Sequence, residues 1–229
     1  MRRTQRGLAL LLALCLLLLS ACGERRREAE ENVIDDKYRN WYEVFVYSYY
    51  DSDGDRIGDL DGLAEKLDYI SGLGMNGIWL MPIMPSPSYH KYDVTDYYGI
   101  DPQYGTLEDF SALLDKAHSL GIDVIIDLVV NHTSSEHPWF LSAKADVNSE
   151  YREYYNWSDE PRDGYAKAGG SWYECRFVNT MPDLNLDNPE VRAEIERILR
   201  FWLEDVGVDG FRLDAVTSYY TGERERNID

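Results

Sequence analysis

Apolar residues recur at helical spacing in three stretches of the chain, and a short apolar run follows each stretch. In the first stretch Leu63, Leu67 and Ile70 lie on one helical face. An alternating run of aromatic and valine residues over 41–50 predicts a strand before them. The predicted helices span 60–73, 106–121 and 188–207. The predicted strands that follow them span 76–80, 122–130 and 210–214, and residues 206–208 are predicted to lead into the last strand as extended chain.

Several residues mark the ends of these helices. Thr106 with Asp109 is typical of a capping box, Asn188 with Pro189 combines an N-cap with a first-turn proline, and Gly207 supplies a glycine stop. Apolar strands that alternate with amphipathic helices predict an α/β fold, in which helices cover a parallel sheet. A barrel and a doubly wound sheet both fit. No glycine-rich phosphate-binding turn follows any strand, which disfavours a nucleotide ligand.

The segment 133–187 breaks this alternation. It is long, polar and rich in aromatic residues, with little helical period, as expected of a functional connection or a small inserted domain. The aromatic side chains are Trp139, Tyr154, Tyr155, Trp157, Trp172 and Tyr173. Exposed rings would suit carbohydrate, and a small aromatic core would explain any one of them equally well.

Polar residues collect at the C-terminal ends of two predicted strands. Asp127, Asn131 and His132 end one strand, and Arg212 and Asp214 end another. Chemistry sits at this end of the strands in parallel α/β folds. Arg212 and Asp214 are two residues apart and share a face of an extended chain, so the arginine would keep the carboxylate ionised. The pair is either a structural ion pair or a glycosidase nucleophile with its partner.

Residues 51–59 place aspartates at alternate positions around Gly54. Hard carboxylate oxygens that converge on one cation are typical of calcium loops. A full EF-hand is excluded, because its twelfth position falls on Gly62. A solvated acidic turn is the alternative, although crowded carboxylates would repel one another without a cation.

Composition limits the class of partner. The 229 residues are 44% hydrophobic and 13% aromatic, which is typical of a globular protein, and the formal net charge is -19. This charge argues against nucleic acid, which needs a basic surface. A neutral or cationic ligand fits better, and no protein partner is predicted.

The N-terminus predicts export. Residues 1–21 combine three arginines with an apolar run too short to span a bilayer, as in a signal peptide. Residues 19–23 resemble a bacterial lipobox, which implies cleavage before Cys22, a lipid anchor on its thiol and an extracytoplasmic, membrane-attached protein; plain secretion is the alternative. Residues 22–39 read as a flexible tether. With Cys15 in the signal, Cys175 remains as a single thiol that can form no internal disulfide.

Four stretches together resemble the α-amylase family, the family 13 glycoside hydrolases. Residues 127–132 resemble its D-x-V-x-N-H region after the third barrel strand, and 210–214 its nucleophile region after the fourth. Residues 181–185 resemble the signature near the end of domain B, and 51–59 the calcium loop after the first strand. The resemblance implies the N-terminal part of a (β/α)8 TIM barrel, strands 1–4, with domain B inserted after strand 3. The barrel would span 40–132 and 188–229, and domain B 133–187.

The resemblance also implies roles for individual residues. Asp214 would be the nucleophile of a retaining α-glucan hydrolase, and Arg212 would hold it ionised. His132, Tyr92 and Asp93 would contact the sugar in the cleaved subsite, with Asp127 and Asn131 supporting them from behind. Ca²⁺ would bind to Asp51, Asp53, Asp55, Asp59 and the backbone carbonyl of Ile57.

The sequence also departs from the family pattern. Thr217 and Ser218 stand where many α-amylases have Lys-His, which leaves leaving-group specificity open. The family's acid/base glutamate and third carboxylate would fall after Asp229, so we expect residues 1–229 alone to be inactive. An oligo-1,6-glucosidase, a neopullulanase-like enzyme or a glucanotransferase remains an alternative. A non-catalytic glucan-binding member is an alternative of a different class.

Overall fold

A computed structural model describes residues 39–220 of the chain. The predicted signal peptide, the lipid anchor at Cys22, all of the predicted tether except Arg39, and residues 221–229 lie outside this range. Arg39 forms an ion pair with Asp123 and donates a 2.7 Å hydrogen bond to the carbonyl of Asn76, so it is joined to the fold. Over residues 39–220, no helix is long and apolar enough to cross a membrane.

Two sheets organise the chain. The strands are β1 (Trp41–Val44), β2 (Gly77–Leu80), β3 (Asp123–Leu128), β4 (Trp157–Ser158), β5 (Tyr165–Ala168), β6 (Ser171–Glu174) and β7 (Gly210–Leu213). The first sheet is parallel with the order β1-β2-β3-β7, and the second is antiparallel with the order β4-β6-β5. A four-stranded parallel sheet in this order is the first part of a (β/α)8 barrel, as the sequence predicted.

The helices are α1 (Leu60–Gly72), α2 (Leu107–Ser119), α3 (Pro138–Ala145) and α4 (Pro189–Arg200). The predicted caps are confirmed. Thr106 and Asp109 form a capping box, and Asn188 accepts a hydrogen bond from the amide of Glu190 ahead of α4. A π-helical turn, Phe201–Val206, extends α4, and Gly207 ends it in the left-handed conformation at φ 91°.

Several predicted strand boundaries were wrong, including the end of the strand predicted over 122–130, which stops at Leu128. The strand over 41–50 stops at Val44, and Val46–Ser48 forms a 3₁₀ turn. The carbonyl of Tyr47 there accepts from the amide of Gly58 at 2.8 Å, so this backbone pairs with the acidic loop rather than with a strand. The run 206–208 is not strand either, because the amides of Gly207 and Val208 both bond to the carbonyl of Trp202.

The main core lies between the parallel sheet and helices α1 and α2. It holds buried strand residues such as Ile78 and Ile126 with helix residues such as Leu67 and Leu114. The segment between β3 and α4 has a second, smaller core built largely from rings around Phe140, which is 0% exposed. Most aromatic side chains of that segment therefore stabilise its own fold, and the interpretation as a small aromatic core describes them better than exposed sugar contacts do.

Candidate active site

Strand register brings three polar side chains to one face of the parallel sheet. Asp127 on β3 is aligned with Arg212 on β7, and Trp79 on β2 is aligned with Ile125, two residues before Asp127. Because side chains alternate along a strand, Trp79, Asp127 and Arg212 share a face. Val44, Leu80 and Leu128 lie on the other face of the sheet, and they are buried in the hydrophobic core. Trp79, Asp127 and Arg212 therefore lie on the face opposite to these core residues.

Arg212 joins two carboxylates through one nitrogen. Its Nη1 donates to Oδ1 and Oδ2 of Asp127 at 3.0 and 3.2 Å, and to Oδ1 of Asp214 at 2.6 Å. The guanidinium lies 4.9 Å from the ring centroid of Trp79, within cation–π range. Burial lowers the pKa of Arg212, but its bonds and charge interactions with Asp127 and Asp214 outweigh burial and raise it. The arginine is therefore a permanent cation between two acids.

The two carboxylates differ in access. The side chain of Asp127 is 0% exposed, whereas that of Asp214 is 17% exposed. Asp127 also accepts from the hydroxyl of Tyr92 at 3.0 Å and from Nε1 of Trp79 at 3.3 Å. Burial raises the pKa of Asp127 to about 6, and the bond from Arg212 opposes that rise. Asp214 is thus the more accessible of the two acids, and Asp127 is the one whose two oxygens both bond to Arg212.

His132 is buried and bonded at both ring nitrogens. Its Nε2 is 3.2 Å from the carbonyl of Tyr92, which can only accept, so this nitrogen carries the proton. Asn131 donates to Nδ1 of His132 at 3.3 Å and to Oδ1 of Asp183 at 3.2 Å. Burial lowers the pKa of His132, which favours this neutral tautomer. Asn131 thus contacts His132, and both the predicted supporting role of Asn131 and the predicted sugar contact of His132 stay predictions.

Tyr92 and Asp93 lie in the loop after β2. Burial, followed by the charge of Asp127, raises the pKa of the Tyr92 hydroxyl, so Tyr92 stays neutral. Asp93 is 5% exposed and accepts hydrogen bonds from the hydroxyls of Ser86 and Ser88 in its own loop. The structure therefore brings Tyr92 to the Arg212 cluster and commits Asp93 to holding the loop together.

Sequence reasoning missed three residues at this site. Trp79 binds Asp127 and underlies Arg212, and its position on the strand face was the available signal. Asp183 accepts from Asn131 and from the amide of Arg176, and burial raises its pKa to about 7. Phe177 is 50% exposed and lies 5.2 Å from the ring of His132. Only tertiary structure places Asp183 and Phe177 beside the site.

The acidic loop brings three aspartates together. Oxygens of Asp51, Asp53 and Asp59 lie within 4.8 Å of one another. Backbone N–H groups from Gly54 and Arg56 lower the pKa of Asp51. Three converging hard oxygen donors fit a calcium ion in donor type. Asp55, also predicted as a ligand, is not in this group, and its Oδ1 accepts from the amide of Ile57 at 2.7 Å.

A polar cavity of about 570 Å³ lies between the segment before α4 and the segment after β7, since residues of both line it. Glu174 and Asp183 line it on one side, and Tyr219 and Tyr220 of the segment after β7 line it on the other. Neither Arg212 nor Asp214 contributes to its wall. The arrangement of acids and arginine, rather than this cavity, therefore locates the candidate chemistry.

Comparisons with known proteins agree with this geometry. The family model "Alpha amylase, catalytic domain" matches residues 43–228. The chain is 57% identical over 198 residues to Alpha-amylase 3 of Dictyoglomus thermophilum, covering 83% of this chain and 39% of that protein. It is 42% identical over 194 residues to an oligo-1,6-glucosidase of Heyndrickxia coagulans, covering 77% of this chain and 35% of that protein.

A solved structure gives the same result. Eubacterium rectale Amy13B superposes with a TM-score of 0.82 at 56% identity, over 88% of this chain and 41% of that one. The chain spans about two fifths of the length of these relatives. The fold, the family model and the relatives agree, and the chain belongs to the α-amylase family of glycoside hydrolases.

Proposed function

We propose that the protein is a retaining α-glucan hydrolase in which Asp214 is the nucleophile. The observation that carries this proposal is the asymmetry of the two acids bonded to Arg212. Asp127 is fully buried, and Asp214 is partly exposed while still in contact with the guanidinium. A carboxylate that is ionised, oriented and accessible is what covalent glycoside cleavage requires.

In the first step, an oxygen of Asp214 forms a bond to the anomeric carbon as the glycosidic C–O bond breaks. The departing oxygen takes a proton from a second carboxyl group, roughly 5 Å from the nucleophile in retaining enzymes. Asp127 does not fit that role, because it is buried and both its oxygens are bonded to Arg212. Water then attacks the anomeric carbon and breaks its bond to Asp214, while the second carboxylate takes a proton from the water, so that both acids return to their starting states.

The groups around Asp214 fit a sugar ring. Tyr92 presents a neutral ring next to Asp127, and its backbone carbonyl anchors His132. Phe177 exposes half of its surface beside His132. We assign Tyr92, His132 and Phe177 to the walls of the cleaved subsite, because aromatic rings pack well against the C–H faces of a glucosyl unit. Asp93 supports this wall from within its own loop.

The acidic loop is proposed to bind calcium through Asp51, Asp53 and Asp59, with the carbonyl of Ile57 as a further ligand. A bound calcium ion would supply a fixed charge that links the loop to its neighbours. Asp59 already joins the loop to α1, since its Oδ1 accepts from the amide of Gly62 at 2.6 Å. The residues thus fit a structural role for the ion.

We further propose that the protein is held at the outer face of the cytoplasmic membrane by a lipid on Cys22. The lipobox-like residues 19–23 support this placement. Metabolic labelling with a radioactive fatty acid tests it, with Cys22→Ala as the matched variant. Label that persists in Cys22→Ala would contradict the anchor.

Product analysis of the full-length protein tests the function. Maltoheptaose, isomaltose and pullulan separate α-1,4 cleavage from α-1,6 cleavage, and Asp214→Asn is the control. We expect shorter maltooligosaccharides from maltoheptaose and none with Asp214→Asn. Cleavage of isomaltose instead would favour an oligo-1,6-glucosidase, the activity named for the Heyndrickxia relative. Binding of all three without cleavage would favour a non-catalytic glucan-binding protein and overturn the proposal.

A further inference from the structure

The π-helical turn at the end of α4 carries a fully buried tryptophan. The turn covers Phe201–Val206, and the side chain of Trp202 within it is 0% exposed. Turns of this kind are rare in proteins, and they are frequent at functional sites. The contacts of Trp202 therefore show which parts of the chain this turn holds together.

Two polar groups of Trp202 reach different parts of the chain. Its indole Nε1 donates a 2.8 Å hydrogen bond to the carbonyl of Tyr97, 105 residues earlier. Its own carbonyl accepts from the amides of Gly207 and Val208 at 2.9 and 3.0 Å, just before β7. Trp202 therefore fixes Tyr97 relative to the start of the strand that carries Arg212.

Tyr97 extends this connection to the turn that carries His132. It is 1% exposed, and burial raises the pKa of its hydroxyl, which therefore stays protonated. The hydroxyl donates to the carbonyl of Val129 at 2.8 Å and to the carbonyl of His132 at 3.1 Å. Because both carbonyls accept from the same hydroxyl, this one side chain fixes the backbone from the end of β3 to His132.

Packing leaves these two side chains little freedom to move. The ring of Tyr97 stacks on Trp139 with centroids 5.8 Å apart, and Trp202 meets Phe110 of α2 edge-on at 6.0 Å. Closely packed aromatic rings keep their hydrogen-bonding groups in fixed positions. We call Trp202 and Tyr97 the buried aromatic pair. The pair connects the end of α4 to the backbone of His132 through two hydrogen-bonded steps.

The imidazole of His132 depends closely on the position of its own backbone. Its Nε2 lies 3.2 Å from the carbonyl of Tyr92, and its Nδ1 lies 3.3 Å from the side-chain nitrogen of Asn131. Both distances are at the long end of the normal range for hydrogen bonds, so a shift of a few tenths of an ångström would weaken them. The hold of Tyr97 on the His132 carbonyl limits such a shift.

We propose that Trp202 is a positioning residue that holds His132 in place through the hydroxyl of Tyr97. This inference rests on the proposed function, which assigns His132 to the wall of the cleaved subsite. Trp202 is completely buried, so its part is to fix backbone rather than to touch the substrate. Looser placement of a group beside the reacting sugar costs the transition state more than the bound substrate, so the effect belongs mainly to kcat.

Steady-state kinetics of the full-length protein test the pair through two substitutions. Tyr97→Phe removes only the hydroxyl, and Trp202→Phe keeps a ring but removes the indole N–H. Each should lower kcat for maltoheptaose about 10-fold and change KM by less than about 2-fold. Trp157→Phe is the matched control, because Nε1 of Trp157 also donates at 2.8 Å to a backbone carbonyl, that of Arg152. A lower thermal unfolding midpoint with unchanged kcat in both variants would leave only a structural role and overturn the proposal.

The double variant tests whether Trp202 acts through Tyr97. If it does, Trp202→Phe combined with Tyr97→Phe should lose little more kcat than either single variant, about 10-fold in total. Two losses that multiply to about 100-fold would show that the residues act separately. That result would overturn the proposed connection between Trp202 and His132.

An NMR measurement separates the positioning of His132 from the proposed function. The imidazole Nε2–H signal of His132 is assigned by its loss in His132→Gln, and its exchange with solvent needs no substrate. We expect about 10-fold faster exchange in Tyr97→Phe and in Trp202→Phe, and no change in Trp157→Phe. Faster exchange in a protein whose wild type cleaves no glucan would keep the positioning role and reject the hydrolase. Cleavage by the wild type with unaltered exchange in both variants would keep the hydrolase and reject the positioning role.

Discussion

Two clusters of aspartates in this protein solve the same electrostatic problem in different ways. At the ends of β3 and β7, Asp127 and Asp214 share the guanidinium of Arg212. In the loop before α1, Asp51, Asp53 and Asp59 converge with backbone N–H donors around them. Burial raises the pKa of Asp127 to about 6, whereas backbone hydrogen bonds lower the pKa of Asp51.

The two clusters differ in the source of the positive charge that balances their carboxylates. The buried cluster includes its own positive charge, Arg212 on β7, and Asp214 in it stays partly exposed. The loop cluster is more exposed, and N–H dipoles balance its charge only in part, so it fits an external divalent ion. The number of acids alone therefore does not separate the proposed catalytic cluster from the proposed metal cluster. The source of the balancing charge does.

The largest expected effect comes from removing the internal cation. Arg212→Met leaves Asp127 and Asp214 facing each other without a positive charge, and should lower kcat/KM for maltoheptaose about 10³-fold. Arg197→Met, which removes an exposed arginine paired with Glu194 on α4, is the control. Steady-state kinetics of the full-length variants give the result. Activity within 10-fold of the wild type in Arg212→Met would show that the shared guanidinium is not needed.

The second-largest expected effect comes from disrupting the packing between helix α1 and the backbone of Tyr50, next to the acidic loop. A Cβ at Gly62 would lie 2.1 Å from the carbonyl oxygen of Tyr50, whereas a Cβ at Gly72 meets nothing within 4 Å. Gly62→Ala should therefore lower the free energy of unfolding by about 2–3 kcal/mol. Gly72→Ala, in the same helix, should leave it unchanged or raise it by about 0.5 kcal/mol. Urea titration checks both, and equal behaviour of the two variants would contradict the packing.

The buried acid makes a pH-dependent contribution of intermediate size. Between pH 4 and 6 the folded state binds more protons at Asp127 than the unfolded state, since its pKa rises from 3.8 to about 6 on folding. This group therefore makes the free energy of unfolding fall as pH rises through that window. Asp127→Asn lacks the effect, so the stability of the variant relative to wild type should increase by on the order of 2 kcal/mol from pH 4 to pH 7.

Denaturant unfolding at several pH values measures this difference. Asp205→Asn, an exposed position, controls for the loss of one negative charge. If the free energies of unfolding of Asp127→Asn and the wild type differed by the same amount at every pH from 4 to 7, burial would not raise the pKa of Asp127.

The smallest expected effect belongs to the external cation. A calcium chelator should lower the thermal unfolding midpoint by about 4 °C, because a ligand that binds only the folded state stabilises it. Asp51→Asn should remove this sensitivity, and Asp55→Asn should retain it, since Asp55 is outside the convergent group. A midpoint that ignores the chelator would count against calcium. Sensitivity lost equally in both variants would count against the assignment of ligands.

Short sequence motifs were enough to predict where several helices begin and end. The capping residues Thr106 and Asn188 and the stop at Gly207 could be found from the sequence because each acts on backbone groups within a few residues. The alternation that begins at Trp41 could not show that the strand ends at Val44. That end depends on hydrogen bonds to the acidic loop at Gly58, more than ten residues later.

The same distinction explains the site. Arg212 and Asp214 are two residues apart, so their contact followed from strand geometry. Trp79 bonds to Asp127, 48 residues later in the chain, and Asp183 bonds to Asn131, 52 residues earlier. No local sequence pattern predicts contacts between residues so far apart in the chain. The aromatic residues around Phe140 are a similar case. The amino-acid composition of the segment showed that it is rich in aromatic residues, but it did not show whether their side chains are buried or exposed.

Trapping the covalent intermediate would identify the nucleophile of this protein directly. The full-length protein is treated with a fluorinated α-glucosyl fluoride that accumulates the glycosyl-enzyme, then digested and analysed by mass spectrometry. Asp214 and Asp127 both touch Arg212, so the location of the label distinguishes them. We expect one glycosyl group on Asp214. A label on Asp127 or on another carboxylate, or none on an enzyme that hydrolyses maltoheptaose, would contradict it.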